Sequence, residues 1–307
     1  MRDSDRTQQD RKTTAPHRPA QWSPCLASLV EVDLGALSHV GKVRENNEDH
    51  YLVGRLRRSL EPLMTSVPAE HLPQWDEVGH ALLVADGMGG AAAGEVASGM
   101  AVSVLMNLVG EAAKWGRRID ADEAQALTER LGNYYSEIHS RLIEEAQADP
   151  RLSGMGTTLT LAYSFCKDLF IAHVGDSRAY LFRQNELHQL TCDHTLAQAL
   201  AARGQIAPEA VAGHRFKHVL TNVLGGHSGP VQTEIQHMRL EQGDRLLLCS
   251  DGLTDMVTDA QIARVLTRIQ RSDQACRALV DLALEAGGKD NVTVVAARYS
   301  FPDERRA

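Results

Sequence analysis

Four aspartates stand where apolar segments of the chain begin or end, and they are the best candidates for chemistry. Two of them, Asp86 and Asp251, close an apolar run and are followed directly by glycine. A carboxylate at the end of a buried strand is costly unless a cation neutralises it, and glycine lets the backbone pass close to a ligand. A strand that ends in a glycine-rich turn with a solvated aspartate explains one such segment equally well. The second occurrence favours a binding site.

The other two aspartates also stand next to apolar segments of the chain. Asp49 lies beside an apolar stretch, and Asp290 precedes a β-branched segment that begins at Val292. If the fold brings the four carboxylates together, they repel one another. Hard divalent cations with oxygen ligands compensate for such repulsion, and Mg²⁺ or Mn²⁺ suits carboxylates better than zinc does. The sequence therefore predicts a divalent metal site built from these four aspartates.

Hydrophobic patterning predicts the elements that position the aspartates. Strands are expected at 29–38, 49–53, 82–84, 157–163, 169–174, 179–182, 231–238, 246–249 and 292–299. Amphipathic helices are expected at 94–110, 121–148, 259–270 and 273–286. The order, in which strands alternate with pairs of helices, favours an α+β fold with segregated layers over a repeating βαβ unit.

Two internal segments interrupt this pattern. Residues 55–78 carry several arginines and prolines and are interpreted as a loop insertion, an inert surface excursion in preference to a functional one. Residues 193–226 contain a short helical stretch followed by irregular chain. The polar, proline-containing residues 1–27 are expected to be a disordered tail, and 301–307 form a second tail. One globular domain, residues 28–300, remains.

The composition excludes several functional classes. The 307-residue chain has a net charge of −8 and no basic stripe, which argues against nucleic-acid binding and against a metal-dependent nuclease. Its apolar runs are too short to cross a membrane, and its basic N-terminus lacks the apolar core of a signal peptide. The five cysteines are widely spaced without a Cys-x-x-Cys pair, so neither a disulfide framework nor a zinc site is indicated. We therefore expect a cytoplasmic protein.

The aspartates belong to a series of short motifs. In chain order these are Gly41-Lys-Val-Arg-Glu-Asn-Asn-Glu-Asp49, Val84-Ala-Asp-Gly-Met-Gly-Gly90, Gly156-Thr-Thr158, Val174-Gly-Asp-Ser-Arg178, Leu190-Thr-Cys-Asp-His194, Cys249-Ser-Asp-Gly-Leu-Thr-Asp255 and Lys289-Asp-Asn-Val-Thr293. From about Leu34 to Tyr299 the sequence resembles the PPM-type (type 2C) metal-dependent serine/threonine protein phosphatases, of the compact bacterial kind. Each motif alone is weak, but seven in the family's order form a strong signal.

The resemblance implies a four-layer α/β/β/α sandwich, in which two antiparallel β-sheets are flanked by pairs of helices. It assigns residues 28–300 to one phosphatase domain. It also makes residues 193–226 a flap beside the active site, where mobility would affect substrate choice.

The resemblance further implies a set of metal ligands. Asp49 and Asp86 would ligate two core Mn²⁺ or Mg²⁺ ions, with Asp86 bridging the pair. The backbone carbonyl of Gly87 would complete the shell of one ion, and Asp251 and Asp290 would hold the other.

Three residues beside these ligands are expected to support the chemistry. Glu48 would hold a metal-bound water rather than a metal, and Asn291 would hydrogen-bond around the site or form a turn. Arg44 is the phosphate-binding candidate, because its planar guanidinium can grip two phosphate oxygens. Taken alone, an arginine in a polar turn is a solvated surface residue. The Arg-x-x-Asn-x-Asp spacing shared with the family reverses that interpretation.

Asp176 and Asp255 match positions at which bacterial relatives bind a third, weaker metal ion. The alternatives are that Asp176 caps a turn and that Asp255 stands at a helix N-terminus, where aspartate is favoured.

One position departs from some eukaryotic relatives, which carry a histidine considered as a general acid directly after the first Asp-Gly. This chain has Met88 there, and a thioether cannot donate a proton. Protonation of the leaving group is then expected from metal-bound water, or from His39 or His50.

The implied activity is hydrolysis of phosphoserine and phosphothreonine on proteins by attack of a water that bridges two metal ions. The partners would be phosphorylated proteins that a serine/threonine kinase produces, and the protein would be a monomer without a nucleic-acid or membrane partner. The alternative is a catalytically silent PPM-fold module that binds phosphoproteins for regulation. The sequence favours the enzyme, because every metal-binding acid and Arg44 are present.

Overall fold

The computed structural model describes residues 30–60, 63–64, 66, 75–89, 93–111, 121–226 and 229–301 of the chain. The predicted tail at 1–27 lies outside the described residues, as does the second predicted tail except for Phe301. The limits of the domain at 28–300 therefore stay a prediction.

Strands and helices alternate in blocks along the described chain. The strands are β1 (Glu31–His39), β2 (Asp49–Leu60), β3 (Trp75–Met88), β4 (Gly156–Thr157), β5 (Leu159–Phe165), β6 (Asp168–Val174), β7 (Arg178–Arg183), β8 (Glu186–Gln189), β9 (Leu224–Gly225), β10 (Glu234–Arg239), β11 (Arg245–Cys249) and β12 (Val292–Ser300). The helices are α1 (Ala93–Glu111), α2 (Ala121–Ala148), α3 (Leu196–Ala202), α4 (Asp251–Thr254), α5 (Asp259–Arg268) and α6 (Ser272–Glu285).

The described strands form two antiparallel sheets. One sheet has the order β1-β12-β11-β7-β8, and the other has β10-β6-β5-β3-β4-β9 with β2 paired to β3. Helices α1 and α2 share an apolar core with the second sheet, and α4 to α6 share one with the first. A third apolar core lies between the two sheets. The predicted α+β class and the α/β/β/α layering are confirmed.

Alternation of side chains along the central strands builds these layers. In β3, Leu82 packs between the sheets, whereas Leu83 packs against the helical layer. In β11, Leu248 packs between the sheets and Leu247 packs against the other helical layer. All four side chains are fully buried. Because both faces of these strands are covered, the strands are continuous apolar runs, and acidic residues occur only towards their ends.

The predicted loop insertion at 55–78 is wrong at both of its ends. Strand β2 continues to Leu60 and β3 begins at Trp75, and the two strands pair in antiparallel register over this whole length. Arg55 is exposed on β2, whereas Leu56 packs against the core. Arg55 and Arg57 thus occupy the solvent face of an alternating strand, and the number of arginines in this segment had obscured the alternation.

The predicted helices and the irregular segment agree with the structure more closely. Helices α1, α2, α5 and α6 match the predicted spans within two residues at each end. Residues 193–226, the flap, contain α3, the 3₁₀ turn Pro208–Ala210 and β9. A β-bridge between Thr195 and Leu220 closes the flap at its base.

Two expectations based on composition concern disulfides and membranes. Cys166 is disulfide-bonded, a bond that the wide spacing of the cysteines did not indicate. Within the described ranges, no helix has both the length and the apolar character that crossing a bilayer requires.

Replacing Leu248 by alanine tests the core between the sheets. Leu248 is fully buried there, so Leu248→Ala is expected to lower the free energy of unfolding by about 2–5 kcal/mol through lost burial and a residual cavity. Chemical denaturation monitored by circular dichroism measures this change. Leu63→Ala is the matched control, because Leu63 is 83% exposed. Equal stability of the two variants would contradict the layered packing.

Candidate active site

Asp49 and Asp86 are brought together by strand register. The antiparallel pairing of β2 with β3 sets them directly opposite each other. The backbone N–H of Gly87 donates to the carbonyl oxygen of Glu48 at 3.2 Å. A Cβ atom at Gly87 would lie 2.1 Å from the carbonyl oxygen of Gly94, so only glycine fits there. The Asp-Gly step therefore lets α1 approach the ends of both strands closely.

Asp49 is almost fully buried, and only one of its two carboxylate oxygens has a partner. The Ser250 hydroxyl donates to Oδ2 at 2.7 Å, and the backbone N–H of Thr293 donates to that hydroxyl oxygen at 3.0 Å. The other oxygen, Oδ1, is buried without a hydrogen-bond partner in the described structure. Such an atom is unfavourable unless a cation binds it, because burial removes its hydration. The unpartnered oxygen of Asp49 is therefore available to a cation.

The backbone of Asp86 is held from the neighbouring strands. Its N–H donates to the hydroxyl oxygen of Thr158 at 2.9 Å, and its carbonyl accepts from the backbone N–H of Thr158 at 2.9 Å. The Thr157 hydroxyl donates to the same carbonyl at 2.9 Å. The Gly-Thr-Thr motif thus fixes the position from which the Asp86 side chain enters the site.

Asp251 and Asp290 come from the first sheet. Asp251 is the first residue of α4, directly after β11, and Asp290 precedes β12. A Cβ atom at Gly252 would lie 2.0 Å from the carbonyl oxygen of Asn291, so the two segments are in direct backbone contact. This contact brings the two carboxylates to the same end of the sandwich.

Asn291 ties these segments to the turn that carries Arg44. Its side-chain amide donates to the carbonyl oxygens of Val40 and Asn46, both at 2.9 Å. Its Oδ1 accepts from the backbone N–H of Glu48 at 2.8 Å. Asn291 therefore lies beside the acids and hydrogen-bonds to the backbone around them.

An open cleft of about 760 Å³ collects most of the predicted residues. Its lining includes Arg44, Glu48, Asp86, Gly87, Asp176, Asp251, Asp255, Asp290 and Asn291. Asp49 lies behind this surface, buried against Ser250. The structure therefore gathers all the residues that the sequence assigned to the metals and the phosphate.

Burial and mutual repulsion raise the pKa values of the clustered acids. Burial, together with the charges of Asp251 and Asp290, raises the pKa of Asp49 to about 7. Burial and then the charge of Asp49 raise the pKa of Asp86 well above its usual range. Burial also raises the pKa of Asp176 to about 8. A bound cation would favour the ionised forms of all three groups.

The donor atoms fit a hard divalent cation. The cleft offers carboxylate oxygens and a backbone carbonyl at Gly87, which are ligands that Mg²⁺ and Mn²⁺ prefer. The orphaned Oδ1 of Asp49 is a further oxygen donor that needs a cation. These residues can therefore hold the ions that the sequence predicted.

Arg44 reaches the acids from the exposed side of the cleft. Its Nη2 lies 2.7 Å from Oδ2 of Asp290, and its side chain is 56% exposed. The guanidinium thus stands where an incoming anion would meet both the arginine and the metal ligands.

The two acids predicted for a third ion both line the cleft, but they differ in their surroundings. Asp176 is 8% exposed. Asp255 follows the last residue of α4, so the alternative that placed it at a helix N-terminus is wrong. Its carboxylate lies 2.9 Å from Nζ of Lys217.

Lys217 and His218 of the flap are site residues that the sequence interpretation missed. Nδ1 of His218 lies 3.5 Å from Asp251, and its Nε2 lies 3.3 Å from Asp255. A hydrogen bond with Asp251 raises the pKa of His218. The flap has no periodicity from which such contacts could be predicted, and the adjacent cationic pair was the only local signal.

The two histidines considered as proton donors lie elsewhere. Nδ1 of His39 accepts from the backbone N–H of Gly41 at 2.9 Å, and Nδ1 of His50 lies 2.9 Å from the Ser98 hydroxyl on α1. Among the described residues, neither imidazole lines the cleft, whereas His218 does.

Known proteins match this chain in sequence and in fold. The sequence model of the protein phosphatase 2C family matches residues 71–285. Protein phosphatase PhpP of Streptococcus pneumoniae is 33% identical over 282 residues, which are 89% of this chain and 99% of PhpP.

Serine/threonine protein phosphatase PstP of Mycobacterium tuberculosis is 37% identical over 263 residues, 85% of this chain. The match spans 44% of PstP, so this chain covers less than half of that relative. The crystal structure of the PstP catalytic domain in complex with two manganese ions superposes with a TM-score of 0.68 at 34% identity, covering 88% of this chain and 99% of that domain.

The raised pKa values predict that the metal-free protein loses stability as pH rises. Asp49 and Asp176 have pKa values of about 7 and about 8 when folded, so between about pH 4 and pH 8 these two carboxyl groups bind more protons in the folded state than in the unfolded chain. The melting temperature in EDTA should therefore be lower at about pH 8 than at about pH 5, and Asp49→Asn should reduce the difference. A melting temperature that rises with pH would contradict this result. Asp122→Asn, an exposed aspartate on α2, is the control.

Proposed function

We propose that this chain, which belongs to the protein phosphatase 2C family, is a metal-dependent phosphatase that removes phosphate from phosphoserine and phosphothreonine of proteins. The observation that carries the proposal is the buried, unpartnered Oδ1 of Asp49 within a cluster of carboxylates. A cluster of this kind is stable in its ionised form only when cations bind it. The relatives' names, protein phosphatase PhpP and serine/threonine protein phosphatase PstP, support the reaction.

We assign Mn²⁺ or Mg²⁺ to the cluster. Asp49, Asp86, the carbonyl of Gly87, Asp251 and Asp290 would hold two core ions, and the manganese complex of the PstP catalytic domain supports this assignment. When bound, such ions lower the pKa of a water molecule and offset the negative charge of the phosphoryl group.

Asp176 and Asp255 would hold a third ion at the outer side of the cleft. Both line it, and the charge of Asp251 contributes, after burial, to the raised pKa of Asp176. The ammonium group of Lys217 in the flap forms an ion pair with the carboxylate of Asp255. An ion at this outer site therefore competes with a cation of the protein itself, which agrees with the expected weaker binding.

Arg44 and Glu48 are the residues that position the reactants. The exposed guanidinium of Arg44 can bind two phosphate oxygens through its planar pair of N–H groups. Glu48 has its backbone N–H fixed by Asn291, and its carboxylate lines the cleft, where it can accept a hydrogen bond from water. Burial raises the pKa of Glu48.

The position of Met88 bears on protonation of the leaving group. Met88 lines the cleft and is 39% exposed, but its thioether has no proton to donate. His39 and His50 do not line the cleft in the described structure. His218, which does line the cleft, is therefore a candidate proton donor beside water.

The alternative, a catalytically silent module that binds phosphoproteins, predicts the same fold without turnover. The assembled acids and Arg44 favour the enzyme. A cytoplasmic location, a monomeric state and a serine/threonine kinase that supplies the substrates stay predictions.

Phosphate release from a phosphothreonine peptide distinguishes the enzyme from the silent module. We expect release with Mn²⁺ or Mg²⁺ and none in EDTA. Asp251→Asn should lower the rate roughly 100-fold or more, because it removes a charged ligand. Asp273→Asn is the control, since Asp273 on α6 is 51% exposed and pairs with nearby Arg271. No release from folded protein with either metal would favour the module.

Substitution of Arg44 tests its role towards phosphate. Arg44→Ala is expected to raise KM for the phosphopeptide about 10-fold, and Arg44→Lys should recover only part of this, because lysine lacks the planar pair of donors. Steady-state kinetics with the peptide measures both values. Arg55→Ala, an exposed arginine on β2, is the control. An unchanged KM in Arg44→Ala would remove the arginine from the substrate site.

A further inference from the structure

The flap leaves the body of the protein and returns to it beside one residue, His194. Next to this residue, the backbone N–H of Leu196 donates to the carbonyl of Val219 at 2.7 Å. The backbone N–H of Thr221 donates to the carbonyl of His194 at 2.8 Å. The two ends of the flap segment between His194 and Thr221 are thus held together at His194.

His194 also hydrogen-bonds to the turn that carries Asp176. Its backbone N–H donates to the carbonyl of Gly175 at 2.7 Å, and its Nδ1 accepts from the backbone N–H of Gly175 at 3.1 Å. Gly175 directly precedes Asp176 and has a φ of +114°, which favours glycine. A Cβ atom there would also lie 2.5 Å from Cβ of Thr158. The backbone of this turn is therefore restrained by its two hydrogen bonds to His194 and by its close approach to Thr158.

A side-chain bond joins the returning end of the flap to this imidazole. Nδ2 of Asn222 lies 3.1 Å from Nδ1 of His194 and donates to the carbonyl of Gln232 at 2.6 Å. Since Nδ1 accepts from a backbone N–H, the neutral imidazole carries its proton on Nε2. Burial lowers the pKa of His194, which favours this neutral form.

These bonds also argue against a metal ion in the neighbouring group of His173, His194 and Glu234, whose ligand atoms lie within 4.8 Å of one another. Nδ1 of His194 is taken by Gly175, and Nε2 carries the proton. Glu234 accepts from the backbone N–H of Cys192 at 3.1 Å. The group is a hydrogen-bonded support beneath the flap.

Further out, two side chains of the flap contact Asp255 of the outer site and Asp251 beside it. Lys217 and His218 lie against Asp255 and Asp251. The flap thus meets the outer carboxylates through these two side chains and meets Asp176 through the bonds of His194.

We propose that His194 is a positioning residue that couples the flap to Asp176, so that the outer cation site and the flap move as one unit. The inference rests on the proposed function only in that Asp176 binds a divalent cation. The proposed coupling depends on one acceptor atom, Nδ1 of His194. This atom accepts from the backbone N–H of Gly175, next to Asp176, and from the side-chain amide of Asn222, at the returning end of the flap.

The test uses the full chain with three substitutions at or near this joint. His194→Phe keeps a planar ring against His173, whose ring centroid lies 4.9 Å away, but removes the acceptor. His194→Asn keeps an acceptor close to the position of Nδ1. Asn222→Ala removes only the bond to the flap. His214→Phe is the matched control, because Nδ1 of His214 accepts only from Phe216 within the flap.

Two measurements are made without reference to turnover. Calorimetric titration with Mn²⁺ reports the weakest class of sites, and trypsin digestion in EDTA reports flap opening through cleavage after Arg203, Arg215 and Lys217. In His194→Phe we expect the weakest Mn²⁺ site to lose roughly 10-fold in affinity, with faster cleavage of the flap. His194→Asn and His214→Phe should behave like the wild type. Asn222→Ala should accelerate cleavage with little change in Mn²⁺ binding.

Each contrary outcome has a definite meaning. Wild-type Mn²⁺ binding and wild-type cleavage in His194→Phe would overturn the coupling, and equal defects in His194→Asn would show that ring packing rather than the acceptor matters. If His194→Phe does not fold, unchanged cleavage in Asn222→Ala overturns the flap half of the joint. Failure of the wild type to bind Mn²⁺ would instead reject the proposed function, while the cleavage assay in EDTA would still decide whether His194 holds the flap.

Discussion

The structure depends on holding several carboxylates together where water screens them poorly. Strand register sets Asp49 opposite Asp86 whatever their charge, and the Ser250 hydroxyl fixes one oxygen of Asp49. Repulsion and lost hydration work against this arrangement, as the raised pKa values of both aspartates show. The three apolar cores supply the opposing free energy in the metal-free protein. Bound cations would relieve the repulsion itself.

The acids come from separate elements, and backbone contacts rather than side-chain packing bring those elements together. Gly87 lies against Gly94, and Gly252 lies against Asn291, each so closely that a Cβ atom would not fit. Gly41, with a φ of +85°, brings the Arg44 turn against the carbonyl of Asp290 in the same way. Because main chain cannot yield as a flexible side chain can, these contacts fix the backbone positions from which the acids extend.

Local sequence signals predicted the parts of the site that local structure determines. An apolar run, an acid and a glycine identify Asp86 and Asp251 because burial of both sheet faces leaves acids only towards strand ends. Charge density misled the interpretation at Arg55, where alternation along a strand was the decisive pattern. Lys217 and His218 could not be predicted, because their contacts arise when the flap packs against residues distant in sequence. Lys217 and its partner Asp255, for example, are 38 residues apart. The layered fold followed from family resemblance together with the order of elements.

The carboxylates differ in what holds them, and this difference divides the site. Asp49 and Asp86 are fixed by strand pairing and by hydroxyl groups of the sheets. Asp251 and Asp255 contact side chains of the flap, and the residue before Asp176 is bonded to His194 at the flap's base. The flap therefore contacts the outer carboxylates directly, whereas the inner pair is held by the sheets. Since loops carry variation that sheets cannot tolerate, the inner acids suit a reaction common to a family, and the flap suits the features in which its members differ.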